Sequence, residues 1–144
     1  MMAAAPYTAP VRWTLRLAGL SALVNGVGFG AFDIPAMWHL AHYGTVWNAL
    51  GEPTYGHGPF EAHGISVTVP VLAAFFVACL VLAIGGVLLL VPRSRGVVFT
   101  LAGIVICAPF WWGFNLPGGW IMAAATLVLL ALAWAMQSFA RRRT

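Results

Sequence analysis

Residues 65–91 read ISVTVPVLAAFFVACLVLAIGGVLLLV, twenty-seven positions without one charged side chain. A helix rises about 1.5 Å per residue, so about 20 apolar residues cross a hydrocarbon core of about 30 Å. The stretch is long enough to span a membrane, and it stops where charge returns, at Pro92-Arg93-Ser94-Arg95. It must be helical, because lipid offers no partner to free backbone groups.

Three further spans lie around it. One covers about 17–35 (LAGLSALVNGVGFGAFDIP), behind Arg12 and Arg16. Another covers about 96–116 and ends at Pro117-Gly118-Gly119. The last covers about 120–139, before Arg141-Arg142-Arg143. Composition agrees: 62% of the 144 residues are apolar and 7% are charged, where a soluble domain carries about a quarter. The mean hydropathy is +0.92. A soluble enzyme, a disordered chain and a disulfide scaffold are excluded. The expected fold is an all-α membrane protein, one four-transmembrane-helix bundle over 1–144, with a long cap at 36–64 between the first two spans.

Charge sets the expected direction. All seven basic residues are arginines, and in a four-span chain they share one face. Asp33, Glu52 and Glu61 fall on the other, with His39, His42, His57 and His63. The positive-inside rule makes both termini cytoplasmic and the cap extracytoplasmic. The net charge of +4 is thus a topology signal. It lacks the aromatic interleaving of a nucleic-acid surface, and the C-terminal arginines also attract anionic lipid. Arg12 and Arg16 before an apolar stretch resemble the start of a signal peptide, but the stretch is read as a true span. Absence of Lys beside abundant Ala, Gly and Arg suggests a GC-rich genome, hence a bacterial inner membrane.

Polar and small residues inside the spans are few. Cys79 and Cys107 lie near the middles of neighbouring antiparallel spans, at similar depth. No CxxC accompanies them, which favours packing over thiol redox chemistry. Gly26 and Gly30 form a small-xxx-small pair that lets another helix approach closely, which points to another membrane protein chain or a second copy as partner. Asn25 faces the bundle or a partner, as an interhelical hydrogen bond or in a ligand cavity. Beyond Pro109, the residues Trp111, Trp112 and Asn115 form an interfacial belt or the roof of an outward pocket.

The cap reads AMWHLAHYGTVWNALGEPTYGHGPFEAHG. Its first part, about 36–50, is expected as a short interfacial helix, and the rest as a Gly/Pro-shaped loop folded back as a lid. Every acid and every histidine of the chain lies between Asp33 and His63. His39 and His42 share a helix face, and His57, Glu61 and His63 follow on the loop. Imidazole and carboxylate suit Zn, Cu, Fe or Ni, and imidazoles also ligate haem or hold a quinone head group. Glu61 and Asp33 are the candidate acid–base groups. Trp38, Tyr43, Trp47, Asn25, Trp111, Trp112 and Asn115 are the candidate ligand-binding residues. Interfacial anchoring and a metal-free, pH-sensitive surface compete with this reading.

The function expected is binding of a metal ion, haem or polar small ligand at the cap, with redox or hydrolytic chemistry in view. The alternative is an accessory subunit of a larger respiratory or transport complex. A small dimeric transporter ranks last, because ion-coupled carriers place an acid deep in the membrane and Asp33 sits near the outer edge of its expected span.

Overall fold

The computed structural model describes residues 7–49, 51–91 and 94–142. Pro92, Arg93 and Arg143, which enter the charge argument, and Leu50, at the end of the expected interfacial helix, lie outside them. Four long helices dominate: α1 (Ala9–Tyr43), α3 (Val69–Leu90), α4 (Ser94–Gly113) and α5 (Pro117–Arg141). Between α1 and α3 come two two-residue strands, β1 (Asn48–Ala49) and β2 (Glu52–Pro53), paired antiparallel, and one turn of helix, α2 (Pro59–Ala62). All four long helices are long and apolar enough to cross a membrane.

Local chemistry explains the boundaries. Prolines stand in the first turns of α1, α3 and α5, where their missing N–H is one a helix start leaves unused. At its far end α1 stops on Gly44, which adopts a left-handed conformation (φ 68°) and donates its N–H to the Leu40 carbonyl at 3.0 Å. Three spans fall close to the expected limits. The first does not. No separate interfacial helix forms over 36–50, because α1 runs through Pro35 and continues to Tyr43. A proline forfeits one backbone bond, and beyond it Ala36 is buried and Met37 packs on the core. Helix therefore persists until glycine ends it.

The helices pack as a chain of neighbours. α1 lies between α3 and α5, and α4 packs on the far side of α3. α4 and α5 meet at their connecting turn, where the Trp111 ring seats on Gly119 and stands 5.7 Å from Trp120. Glycines make the α1–α3 seam possible: a Cβ on Gly19 would stand 2.7 Å from the Gly86 carbonyl. Gly26 and Gly30 belong to the same seam and are covered by α3 of their own chain. The close approach expected of them is thus spent within the bundle, and neither glycine is open to a second chain.

The start of α1, the α3–α4 connection and the end of α5 share one end of the bundle. There the Arg16 side chain donates Nε–H to the Leu90 carbonyl at 3.3 Å, and Tyr7, Val97 and Arg141 border a common cavity. We call this the arginine end. The outer flanks carry exposed apolar side chains on every long helix, among them Val27, Ile84, Val105 and Ile121. In water they would make sticky patches far beyond what a monomer shows; in a bilayer they are lipid contacts.

Candidate functional site

The 44–68 segment folds onto the end of the bundle opposite the arginines, and aromatic rings seat it. Phe60 of α2 lies over Gly113, and its ring contacts Phe110, Trp112 and Phe114 edge-on. Gly58 rests directly on the Gly113 carbonyl. Tyr55 points inward, 1% exposed, with its ring against Phe75 and Phe114. Backbone bonds set the loop: Thr54 donates both N–H and hydroxyl to the Trp47 carbonyl.

The histidines and Glu61 have local duties on this scaffold. A carbonyl oxygen only accepts, so a ring nitrogen facing one carries the proton. His39 Nδ1 donates to Thr45 O at 2.9 Å, His42 Nδ1 to Trp38 O at 2.8 Å, and His63 Nδ1 to Pro59 O at 2.7 Å. His57 is exposed and enters a turn in left-handed conformation, φ 54°. Glu61 closes that turn by accepting the His57 N–H on Oε2 at 2.8 Å. Among the described residues, no three His, Cys, Asp or Glu side chains are grouped so as to hold a metal ion. His39 and His42 do share the end of α1, where the His39 ring lies tilted against Tyr43 and the His42 ring stacks on Trp38.

The expected ligand-binding residues also disperse. Trp38, Tyr43 and Trp112 are exposed, which suits interfacial anchors. Trp47 stacks on Phe32, and Asn115 is an exposed turn residue with φ 56°. Two of the set do turn inward and meet at Gly119. Asn25 donates Nδ2–H to the Gly119 carbonyl at 3.2 Å, an interhelical bond between α1 and α5. Trp111, 1% exposed, lies on the same glycine. Asn25 Oδ1 and Trp111 Nε1 are both buried without a partner.

The most unusual group is Asp33. Its side chain is 0% exposed, and neither carboxyl oxygen has a hydrogen-bond partner. The Tyr55 hydroxyl stands beside it, close enough to be its electrostatic neighbour. The two are within hydrogen-bonding reach but short of full hydrogen-bond geometry, and the Tyr55 oxygen is likewise buried. Burial first, then the neighbouring Asp33, push the Tyr55 hydroxyl well above the ordinary phenol range, so it keeps its proton and remains a donor. Cys79 is Asp33's neighbour on α3 and lies against Cys107 of α4, both thiols free and buried. The two cysteines expected at similar depth do meet.

Asp33 therefore does not sit at the edge of its helix. α1 continues ten residues past it to Tyr43, about 15 Å of helix, and Cys79 beside it is at the middle of α3. The interior thus holds a carboxyl on α1, a phenol delivered by the connecting segment, and a thiol pair on α3 and α4. Tyr55 was absent from the sequence-based candidates, since an isolated tyrosine among loop aromatics has no pattern to mark it. Its flanking glycines, Gly51 and Gly56, were the only local hint of a turn that could aim it inward.

Four helices long and apolar enough to span, around an apolar interior that holds a few polar groups, define a multi-pass membrane protein of small size. Compared with protein-family models, curated proteins and solved structures, the chain matches none.

Proposed function

We propose that the protein is a small proton-translocating membrane protein, with Asp33 as the group that holds the exchangeable proton and Tyr55 as its link to the 44–68 segment. One observation carries the reading: a fully buried carboxyl with both oxygens unpartnered, inside a membrane helix. An ionised carboxylate left alone in such surroundings costs several kcal/mol, and ionisable groups within spans mark ion or proton paths. The site must be completed by something small. Two carboxyl oxygens and one phenol fall short of the six or more oxygens a hard cation takes. A proton needs no space at all. The objection to transport, that Asp33 lies at a span edge, is weakened by α1 continuing to Tyr43 and by Cys79, at the middle of α3, lying beside Asp33.

By the positive-inside rule the arginine end is cytoplasmic and Tyr55 approaches from the opposite side. Protons then reach Asp33 from outside past the Tyr55 hydroxyl, its neighbour on the 44–68 segment. A metal, haem or polar-ligand site on His39, His42, His57, Glu61 and His63 has less support, because among the described residues no three His, Cys, Asp or Glu side chains are grouped so as to hold a metal ion.

The test is an imposed pH gradient across vesicles holding the purified protein and a pH-sensitive dye. Wild-type protein is expected to dissipate the gradient faster than protein-free vesicles, and Glu61→Gln to behave like wild type. Asp33→Asn, nearly isosteric but unable to carry the exchangeable proton, is expected to match the empty vesicles. Equal dissipation by wild type and Asp33→Asn overturns the proposal, as does wild-type dissipation no faster than that of empty vesicles.

A further inference from the structure

At the arginine end, a cavity of about 220 Å³ opens between the start of α1, the start of α4 and the last turns of α5. Its inner wall is apolar, from Leu15, Val97, Leu130 and Ala133. Its polar groups all lie towards the helix ends: Tyr7, Gln137, Ser138 and Arg141. An apolar interior with a polar, cationic mouth is the outline of an amphiphile. Gln137 adds a second sign, since its Oε1 is buried without a partner and so offers an acceptor to a hydroxylated head group.

The charge at this end has one sign. Arg12, Arg16, Arg95, Arg141 and Arg142 belong to it, whereas the three acidic residues of the chain, Asp33, Glu52 and Glu61, are all elsewhere. Basic pockets between membrane helices select anionic head groups. We infer that this cavity is a binding site for one anionic phospholipid. An acyl chain enters between α4 and α5, the phosphate lies by Arg141, and a head-group hydroxyl donates to Gln137. The site is separate from Asp33 and does not depend on its role.

The purified full-length protein in neutral detergent is mixed with phosphatidylglycerol or phosphatidylcholine, then followed by thermal melting and native mass spectrometry. Phosphatidylglycerol is expected to raise the melting temperature and remain as a one-to-one adduct, and phosphatidylcholine to do neither. Arg141→Gln, at an exposed position, should weaken the adduct about fivefold, and Ala133→Phe, which fills the cavity, should abolish it. Equal retention of both lipids overturns the inference. So does an adduct untouched by Arg141→Gln, or a dimer mass without lipid, which would assign the groove to a second copy.

Discussion

Gly26 of α1 passes the Cys79 carbonyl of α3 with no room for a side chain: a Cβ there would stand 2.6 Å from that oxygen and 2.8 Å from the Ala83 nitrogen. Both obstacles are backbone, so neither can swing aside. The outward face of the same turn offers the contrast, since a Cβ on Gly28 would meet nothing within 4 Å. Gly26→Ala is expected to cost about 2 kcal/mol by forcing the helices apart. Gly28→Ala is expected to be neutral or to gain up to about 1 kcal/mol from helix propensity. Unfolding in mixed micelles with increasing dodecyl sulfate separates the two; equal losses would mean that the seam is not where the helices touch.

Tyr55 divides cleanly into ring and hydroxyl. Tyr55→Phe keeps the contacts with Phe75 and Phe114 and removes a hydroxyl that has no hydrogen-bond partner. Its stability should stay within about 1 kcal/mol of wild type, while proton flux falls about tenfold or more. Tyr55→Ala should lose about 3–5 kcal/mol through the cavity left behind. A phenylalanine variant with wild-type flux would remove Tyr55 from the proton path.

The thiols give a reagent-based check on the interior. Cys79 and Cys107 are 2% and 0% exposed, so a water-soluble maleimide should label neither in the native protein and both after denaturation. Mass spectrometry counts the labels. Rapid labelling of Cys107 alone would show that α4 stands farther from α3 than the packing here requires.

Glu61 is expected to act as a loop fastener. Glu61→Ala frees the His57 N–H and should cost about 1 kcal/mol, raising cleavage of the 44–68 segment by protease about fivefold. His57→Gly relieves a left-handed residue and should gain up to about 1 kcal/mol, slowing the same cleavage. Limited proteolysis in detergent reads both changes, and a Glu61→Ala variant cleaved at the wild-type rate would release Glu61 from this role.

Hydropathy and charge alone located the four helices, because lipid punishes every exposed polar group and the arginines cluster at helix ends. The limits of α3 are a clear case, 69–90 against an expected 65–91. What the residues concealed was the effect of Pro35. It looks like a stop signal, and treating it as one put Asp33 at a boundary and His39 with His42 on a separate element. In the fold, packing of Ala36 and Met37 outweighs one lost backbone bond, and the same helix that carries the histidines outward holds Asp33 inside. The histidine cluster was legible as composition, but its convergence was not. Spacing along a chain says which groups share a segment; the turn at His57 and the carbonyls at Thr45, Trp38 and Pro59 decide where each ring bonds.

The length of α1 has a consequence for how the molecule rides in its membrane. Its 35 residues measure about 52 Å, against about 33 Å for the 22 residues of α3. Two exposed tryptophans mark α1, Trp13 and Trp38, about 37 Å apart along the axis. Indole rings float at the boundary between head groups and acyl chains, so this pair acts as a gauge with fixed graduations. In a bilayer thinner than the gauge, α1 must lean over, and the leaning is transmitted to every helix fastened to it.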